Sequence, residues 1–478
     1  MSIADCNYPF IVCENQATGY DPTSGVPGTC RHKTLFPMTT RELIGLFVIV
    51  GTGMIAIAGG LGGGSLFVPL MMTFFEMNAH QAIPLSNALT FANSVVKYIT
   101  SFNEKHPEIP HRPVVDFNVA IIFNPMMLLG SFVGVIAHII LPGVVSLSLL
   151  FITLILATYS GARDTWSGYQ KENKAIADAL NPTAQPLLEQ KHAEGDHHDG
   201  CDIEAEELEN EEENKRQEMI EKISRTEADT FPMEKMKLVV LCFLVTIGLP
   251  FILGGRAFDS LFGIERCTPI FWIGAVVYFG IVGYIWKKGA DITLGEQAKK
   301  SKIPGKGWDF NEAVVWDEAK VRNMSLYMFG VGVFSAIVGV GGGIYIVPTL
   351  KQLGYHSKVI SATSLFLVFW AKLASSFLFV LNGSLIFDYT TVVCTMACVG
   401  SWISLSVLKS VMAKVDRQSL ITGCFALFVG TACIITAWKI SDLLFGNQHG
   451  MNIWAFENYC QDDVHSGGHG QMEIPLDL

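Results

Sequence analysis

Long apolar runs separated by short polar segments are the main pattern along this chain. An α-helix needs about 20 mainly apolar residues to cross ~30 Å of hydrocarbon at a rise of 1.5 Å per residue. Ten stretches approach or exceed that length, at roughly residues 42–59, 83–103, 115–141, 143–162, 236–254, 268–287, 324–340, 359–381, 386–409 and 418–440. Lipid admits only helices or closed barrels, and these stretches are too long and too uniformly apolar for barrel strands. The pattern predicts an all-α, polytopic helical membrane protein with about ten transmembrane segments.

The composition agrees with a membrane protein and excludes several other classes. Of the 478 residues, 50% are hydrophobic and 16% are charged, whereas a soluble domain carries about 25% charged residues. Collagen, a coiled coil, a wholly disordered chain and a disulfide-rich miniprotein are therefore excluded. The first 20 residues have neither a basic region nor an apolar core. No cleavable signal peptide is expected, and the first span should direct insertion.

Lysine and arginine residues indicate which side of the membrane each loop faces. They crowd around the N-terminal flank, the loops at 97–113 and 287–322, and Arg163, whereas fewer lie in the alternate loops. Because cytosolic loops carry the excess of Lys and Arg, the sequence predicts that both termini are cytosolic. The four cysteines of the terminal segments are then expected to be reduced thiols. They are Cys6, Cys13, Cys30 and Cys460.

An internal repeat relates the two ends of the chain. The sequence GGGSLFVP at residues 62–69 returns as GGGIYIVP at 341–348, and LGSF at 129–132 is echoed by VGSW at 399–402. Each glycine block follows one apolar span and precedes another. The sequence therefore predicts two related repeats with two further spans between them.

The polar segments complete the predicted organisation. Residues 191–229 hold 15 of the 44 Asp and Glu against 5 of the 33 Lys and Arg, a composition that cannot form a packed core. Within them, DHHDGC at 196–201 is interpreted as a solvated loop rather than a metal site. The expected segments are an N-terminal polar tail (1–41), a first transmembrane repeat (42–165), an acidic disordered linker (166–235), two linking transmembrane helices (236–287), a polar loop (288–323), a second transmembrane repeat (324–440) and a C-terminal tail (441–478).

The paired glycine blocks are the strongest indication of function. Each glycine inside a helix costs about 1 kcal/mol relative to alanine, and backbone groups freed within lipid cost more. Interrupted segments at matched positions of two halves point to a transporter binding site near the bilayer midplane. The helix N-termini created there present free N–H groups that suit an anion. The alternative is close helix packing through small residues. Two glycine blocks in the same register favour this alternative less than a single block would.

Polar residues in the spans after the glycine blocks complete the candidate site. Lys372 lies far from either end of its span, and a charge at that depth costs ~3 kcal/mol or more, which indicates a functional residue. Hydroxyl and amide side chains there can bind an oxyanion or form hydrogen bonds between helices. The predicted substrate-binding residues are Gly62, Gly63, Gly64, Ser65, Ser86, Asn87, Gly341, Gly342, Gly343, Thr363, Ser364 and Lys372. Pro69 and Pro348 are predicted structural helix breaks, and His138 is interpreted as a satisfied packing residue.

These residues resemble the sulfite exporter TauE/SafE family of membrane transporters. In that family each half carries a G-x-G-G-G-x-x-x-x-P block followed by a helix rich in Ala, Ser and Thr. The second half matches this pattern through residues 339–348 and through SATS at 361–364. The first half looks most like the eukaryotic, plant-like branch through AIPLSN at 82–87, NEKHP at 103–107 and PM at 125–126.

The resemblance implies a secondary transporter of small anions such as sulfite and organosulfonates. We expect alternating access around a site between two glycine-broken helices. The expected partners are the anion, the lipid bilayer and a coupling ion, either proton or sodium, with no nucleic acid, cofactor or metal. The alternative is a membrane-anchored scaffold that recruits a partner through its acidic linker. An enzyme is not expected, because the spans lack a Ser/His/Asp, paired-carboxylate or metal-ligand constellation.

Overall fold

The structure, a computed structural model, consists almost entirely of helices. It describes residues 11–13, 30–58, 62–101, 104–107, 109, 112–180, 214, 217–218, 221, 232–258, 260–301, 314–412, 418–445, 454, 456 and 459–460. Most of the acidic linker, including the tract at 196–201, lies outside the described residues. So do Cys6 and the last residues of the C-terminal tail.

Two short strands and twelve helices follow one another in the described residues. Strands β1 (Ile11–Cys13) and β2 (Cys30–His32) pair antiparallel. The helices are α1 (Thr40–Ala58), α2 (Gly64–Phe74), α3 (Ala79–Ser101), α4 (Phe117–Ile140), α5 (Gly143–Leu180), α6 (Met233–Leu253), α7 (Pro269–Lys300), α8 (Glu318–Val338), α9 (Gly343–Gln352), α10 (Ser357–Leu381), α11 (Phe387–Met412) and α12 (Gln418–Phe445). Helices α2 and α9, which follow the glycine blocks, are only 11 and 10 residues long.

Eight helices are long and apolar enough to cross a membrane, within the part of the chain that the structure describes. They are α4, α5, α6, α7, α8, α10, α11 and α12. The other two predicted spans form α1 and α3, and α3 is unusually polar because it buries Ser86, Asn87 and Asn93. Large apolar side chains face outward on peripheral helices; Val276 on α7 and Ile434 on α12 are 72% and 71% exposed. These features confirm a polytopic helical membrane protein.

Two helices extend into segments that the sequence assigns to polar connections. Helix α5 continues to Leu180, and α7 continues to Lys300. Helical structure therefore covers residues 166–180 and 288–300. The extensions are rich in Lys, Glu, Gln and Ala, which are good helix formers, so the helix continues after its apolar part ends.

Each glycine segment turns the chain back on itself. Arg41 at the start of α1 donates hydrogen bonds to Glu76 and to the Thr73 carbonyl at the end of α2. The start of α1 and the end of α2 therefore lie at the same end of the bundle. Helix α9 returns in the same way after α8, because Lys351 in its last turn pairs with Asp164 of α5 at 2.8 Å.

One side of the bundle holds the start of α1, the loop between α6 and α7, and the connection between α10 and α11. Glu42 of α1 accepts a hydrogen bond from the Tyr389 hydroxyl of α11 at 2.8 Å. The Ala257 N–H, in the loop between α6 and α7, donates to the Leu381 carbonyl at the end of α10 at 3.2 Å. We call this side the disulfide side, for the bond described below.

The opposite side holds the starts of α4 and α6 and the end of α7, and we call it the linker side. Lys235 at the start of α6 contacts Asn118 of α4 at 2.7 Å and Glu296 of α7 at 2.8 Å. Helix α8 also starts here, because the Trp316 N–H donates to the Gln297 side chain of α7 at 2.9 Å.

The two halves have opposite orientations. The first half begins on the disulfide side with α1, whereas the second begins on the linker side with α8. Their contacts are equivalent when the halves are exchanged: α1 packs along α11 as α4 packs along α8, and α3 packs against α10. Helices α6 and α7 pack against α4. The molecule is therefore an inverted repeat with α3 and α10 at its centre.

A disulfide bond joins Cys267, in the loop between α6 and α7, to Cys460 beyond α12. Beside it the Tyr459 ring packs on Phe271, with centroids 6.3 Å apart. The expectation that Cys460 is a reduced thiol is therefore wrong. It followed from treating the span before each glycine block as one full crossing, whereas the chain returns after each block.

We expect the disulfide to stabilise the folded protein. Because it closes a loop of 193 residues, Cys460→Ser should lower the melting temperature in detergent by ~5 °C or more. Cys267→Ser should have the same effect, and the double variant should be no less stable than either single one. Cys433→Ala, at a free cysteine of α12, is the control. Additive losses from Cys267→Ser and Cys460→Ser would contradict the pairing.

Candidate functional site

The two glycine segments touch at the centre of the bundle. Gly62 and Gly63 have φ angles of 72° and 83°, and Gly339 at the end of α8 has a φ of 71°. These left-handed conformations suit glycine and allow each chain to reverse. A β-carbon on Gly64 would lie 2.2 Å from the amide nitrogen of Gly341. The starts of α2 and α9 therefore lie together, and no side chain fits between them.

Ser86 of α3 joins the two glycine segments. Its hydroxyl lies 2.8 Å from the Gly339 carbonyl and 3.1 Å from the Gly64 carbonyl, and it is fully buried. A hydroxyl has one proton to donate, so the two carbonyls share it. Ser86 thus gives the Gly339 carbonyl, which the end of α8 leaves free, a hydrogen-bond donor and links it to the first turn of α2.

Lys372 of α10 is a buried cation beside this contact, with a side chain 1% exposed. Its ammonium donates to the Asn87 side-chain oxygen at 2.6 Å and to the Ser335 carbonyl of α8 at 2.9 Å. Among the described residues no carboxylate pairs with Lys372, and its third N–H has no acceptor. Buried charges are normally paired, so this arrangement is suited to an anion.

Asn93 occupies the position in the first half that corresponds to Lys372. The offset between the two residues equals the offset between Pro69 and Pro348. Asn93 donates to the Gly62 carbonyl at 3.3 Å and accepts from the Ser401 hydroxyl at 2.7 Å. Its role in bonding the broken segment was not singled out from the sequence, although alignment of the two halves would have indicated it.

The structure brings most of the predicted site residues together but separates Thr363 and its neighbour Ser364 from Lys372 along α10. The Thr363 hydroxyl accepts a hydrogen bond from the Asp116 N–H at 3.0 Å, just before α4. Nine residues of α10 separate it from Lys372, about 13 Å along the helix axis. Ser364 is buried one residue later, and Ser65 is buried in the first turn of α2.

The two prolines do not break their helices as expected. Pro69 lies inside α2 and Pro348 lies inside α9. A proline keeps a φ compatible with a helix and costs one backbone hydrogen bond, whereas the glycines adopt positive φ angles that end the preceding helix or cap the next one. The breaks are therefore made by the glycine blocks.

Glu42 is a buried charge that the sequence reasoning missed. Its carboxylate accepts from the Lys33 ammonium at 2.8 Å, from the Tyr389 hydroxyl at 2.8 Å and from the Thr39 N–H at 2.7 Å. Glu42 stands at the edge of its apolar span, where a charged residue is common, so the sequence pattern gave no reason to single it out. It links the first half to the second on the disulfide side.

Inverted halves and half-helices that meet at their N-termini define a polytopic membrane protein with the architecture of a transporter. The chain belongs to the sulfite exporter TauE/SafE family, whose model matches residues 27–164 and 228–433. The resemblance inferred from the sequence is thereby confirmed, and membership of this transporter family identifies the protein as a membrane transporter.

Curated relatives from Arabidopsis thaliana are similar over most of their length. Sulfite exporter TauE/SafE family protein 2 is 22% identical over 80% of this chain and 80% of its own. Family protein 1 is 22% identical over 88% of this chain and 85% of its own, and family protein 3 is 24% identical over 84% and 79%. These plant relatives are consistent with the expectation that the chain belongs to the plant-like branch of the family. No solved structure matches the chain.

Gly64→Ala should disrupt the central contact. The added carbon would meet the Gly341 backbone at 2.2 Å, so we expect the melting temperature to fall by ~5 °C or more and transport to be lost. Gly51→Ala on α1, where an added carbon meets nothing within 4 Å, is the matched control. Wild-type stability of Gly64→Ala, measured by thermal unfolding, would contradict the close approach of the two segments.

Proposed function

We propose that the protein is a secondary transporter of small oxyanions, of the sulfite and organosulfonate type, with alternating access around the glycine contact. The observation that carries this proposal is the Lys372 ammonium, which is buried without a carboxylate partner among the described residues. Its two bonded acceptors, an amide oxygen and a carbonyl, leave its positive charge uncompensated. A bound anion would compensate it.

The starts of α2 and α9 supply a second attraction for an anion. The first N–H groups of a helix have no partner within that helix, and the aligned peptide dipoles make this end positive. Two such ends meet at Gly64 and Gly341. Ser335, whose carbonyl accepts from Lys372, also donates to the Val340 carbonyl beside Gly341. In this proposal Gly62–Gly64, Gly341–Gly343 and Lys372 hold the anion, while Ser86 and Asn87 position them.

Hydrogen bonds between the halves at opposite sides of the bundle support alternating access. On the disulfide side, Glu42 of α1 is bonded to Tyr389 of α11. On the linker side, the Asp116 N–H before α4 is bonded to Thr363 of α10. Rocking of one half against the other would break one of these contacts while keeping the other, so that the central site opens to one side at a time.

Lys372→Met should test the central role of the charge. Methionine is similar in volume and removes a buried charge, so folding should be preserved, whereas uptake into proteoliposomes should fall ~100-fold or more. A panel of sulfite, sulfate, thiosulfate, taurine and acetate identifies the anion class. Lys358→Met, at an exposed lysine in the first turn of α10, is the control. Unchanged uptake by Lys372→Met would refute the anion-binding role.

We further propose that the linker side faces the cytosol and that both termini face the opposite compartment. The described Lys and Arg on the disulfide side are Arg31, Lys33, Arg41, Arg256, Arg266 and Lys439. Those on the linker side are more numerous: Lys97, Lys105, Arg112, Arg163, Lys171, Lys174, Lys235, Lys237, Lys287, Lys288, Lys299, Lys300, Lys320, Arg322, Lys351, Lys358 and Lys409.

Two independent arguments favour this orientation over cytosolic termini. The excess of Lys and Arg belongs on the cytosolic side. The Cys267–Cys460 disulfide suits an oxidising compartment. The same positive-inside rule favoured cytosolic termini from the sequence, because it was applied without the two returns of the chain at the glycine segments.

Labelling with a membrane-impermeant maleimide tests the orientation. Leu261→Cys, in the loop between α6 and α7 and 68% exposed as leucine, should react in sealed vesicles whose non-cytosolic face is outward. Lys358→Cys on the linker side should react only after the vesicles are permeabilised. The reverse pattern would return the termini to the cytosol.

A further inference from the structure

His138 is a buried histidine that lies outside the proposed anion site. It stands near the end of α4 with 1% exposure, and its ring packs edge-on against Phe379 of α10 at 5.5 Å between centroids. Neither ring nitrogen has a hydrogen-bond partner among the described residues. The sequence interpretation of a satisfied packing residue therefore holds for the packing and fails for the hydrogen bonding.

A second histidine connects His138 to the disulfide side. His80, in the first turn of α3, has its ring centroid 5.2 Å from that of His138. His80 is half-buried, whereas His138 is enclosed. The two imidazoles therefore form a short path from the disulfide side into the interior.

The inner end of this path reaches α8 just before its glycine break. One turn before His138, a β-carbon on Gly134 would lie 2.8 Å from Ala336 of α8. Helix α8 ends two residues after Ala336, at Val338. The last carbonyls of a helix carry partial negative charge and favour a cation.

Protonation would change the bonding of this pair. A neutral imidazole has one donor and one acceptor, whereas an imidazolium donates from both nitrogens. A charged His138 can therefore donate both to the end of α8 and toward His80. The titratable group facing it from α3 is His80, while α10 presents the Phe379 ring and α8 presents the apolar Ala336 beside the same stretch of α4. Lys372 is the nearby charge, since it bonds Ser335, the residue before Ala336.

We propose that His80 and His138 form the proton-binding site that couples anion movement to a proton gradient. A second buried positive charge close to Lys372 is costly, and a bound anion removes much of that cost. Proton and anion therefore strengthen each other's binding, which is the reciprocal linkage that a symporter needs. The proposal rests on the proposed transport function and names its coupling ion.

The test uses purified protein in proteoliposomes with sulfite as the probe. With the outside one pH unit more acidic and the membrane potential clamped at zero, the wild type should accumulate sulfite. For one proton carried with each monoanion, the limiting inside-to-outside ratio of the monoanion is about tenfold. A pH dye trapped inside should report acidification that depends on sulfite. His138→Gln should reduce the ratio of the monoanion to about onefold and leave only the acidification that comes from dissociation of bisulfite inside.

Exchange of labelled for unlabelled sulfite at equal pH separates coupling from transport. It needs no net proton movement, so His138→Gln and His138→Asn should retain exchange within about threefold of the wild type. His80→Gln should slow the proton-driven uptake. His356→Gln, an exposed histidine before α10 on the linker side, is the control and should behave as wild type. All variants are exposed to the same mixture of sulfite and bisulfite. Differences between variants therefore do not come from the protonation state of the anion.

Each outcome decides between the two proposals. Undiminished proton-driven accumulation by His138→Gln would overturn the coupling role and leave the transport function intact. Loss of exchange in both His138 variants at unchanged melting temperature would also overturn it, because the residue would then serve the anion site. A wild type that shows neither uptake nor exchange of sulfite would overturn sulfite transport itself.

Discussion

The close approach of the two glycine segments is the constraint on which the rest of the structure depends. Gly64 and Gly341 bring two backbones together with no room for a β-carbon. The contact fixes where α2 and α9 begin, and it brings the positive ends of two helices to one point in an apolar interior. The backbone carbonyls around this point need hydrogen-bond donors. Ser86 of α3 donates to the Gly339 and Gly64 carbonyls, and Lys372 of α10 donates to the Ser335 carbonyl, so α3 and α10 occupy the centre of the bundle.

The two halves are more alike in the packing of their helices than in the side chains at corresponding positions. The helices of the two halves pack equivalently, yet Asn93 in one half corresponds to Lys372 in the other, and the position matching His80 is Val359. The amide and the ammonium both bond to backbone next to a broken helix. Only the second carries a charge. One half thus preserves the architecture at this position, while the other adds an electrostatic function.

The sequence predicted features that are local and missed those that depend on chain direction. The apolar spans, the glycine repeat and the exceptional position of Lys372 are each visible within a few residues. The return of α2 and α9 decides on which side each loop lies, and therefore whether Cys267 can meet Cys460. The apolar runs do not indicate this return. Thr363 was grouped with Lys372 by proximity in sequence, although an axial separation of about 13 Å places them at different depths. The prolines were overrated as helix breaks because positive φ at the glycines, rather than a missing N–H, ends a helix here.

The disulfide can close only late in the synthesis of the molecule. Cys267 precedes the second half and Cys460 follows it, so the bond spans 193 residues that include α7 through α12. Chains are made and inserted from the N-terminus, so Cys267 must wait as a thiol until α12 has been inserted. Closure of this ring therefore occurs only in molecules whose second half has reached its place. The intact disulfide thus marks a molecule whose second half is fully inserted.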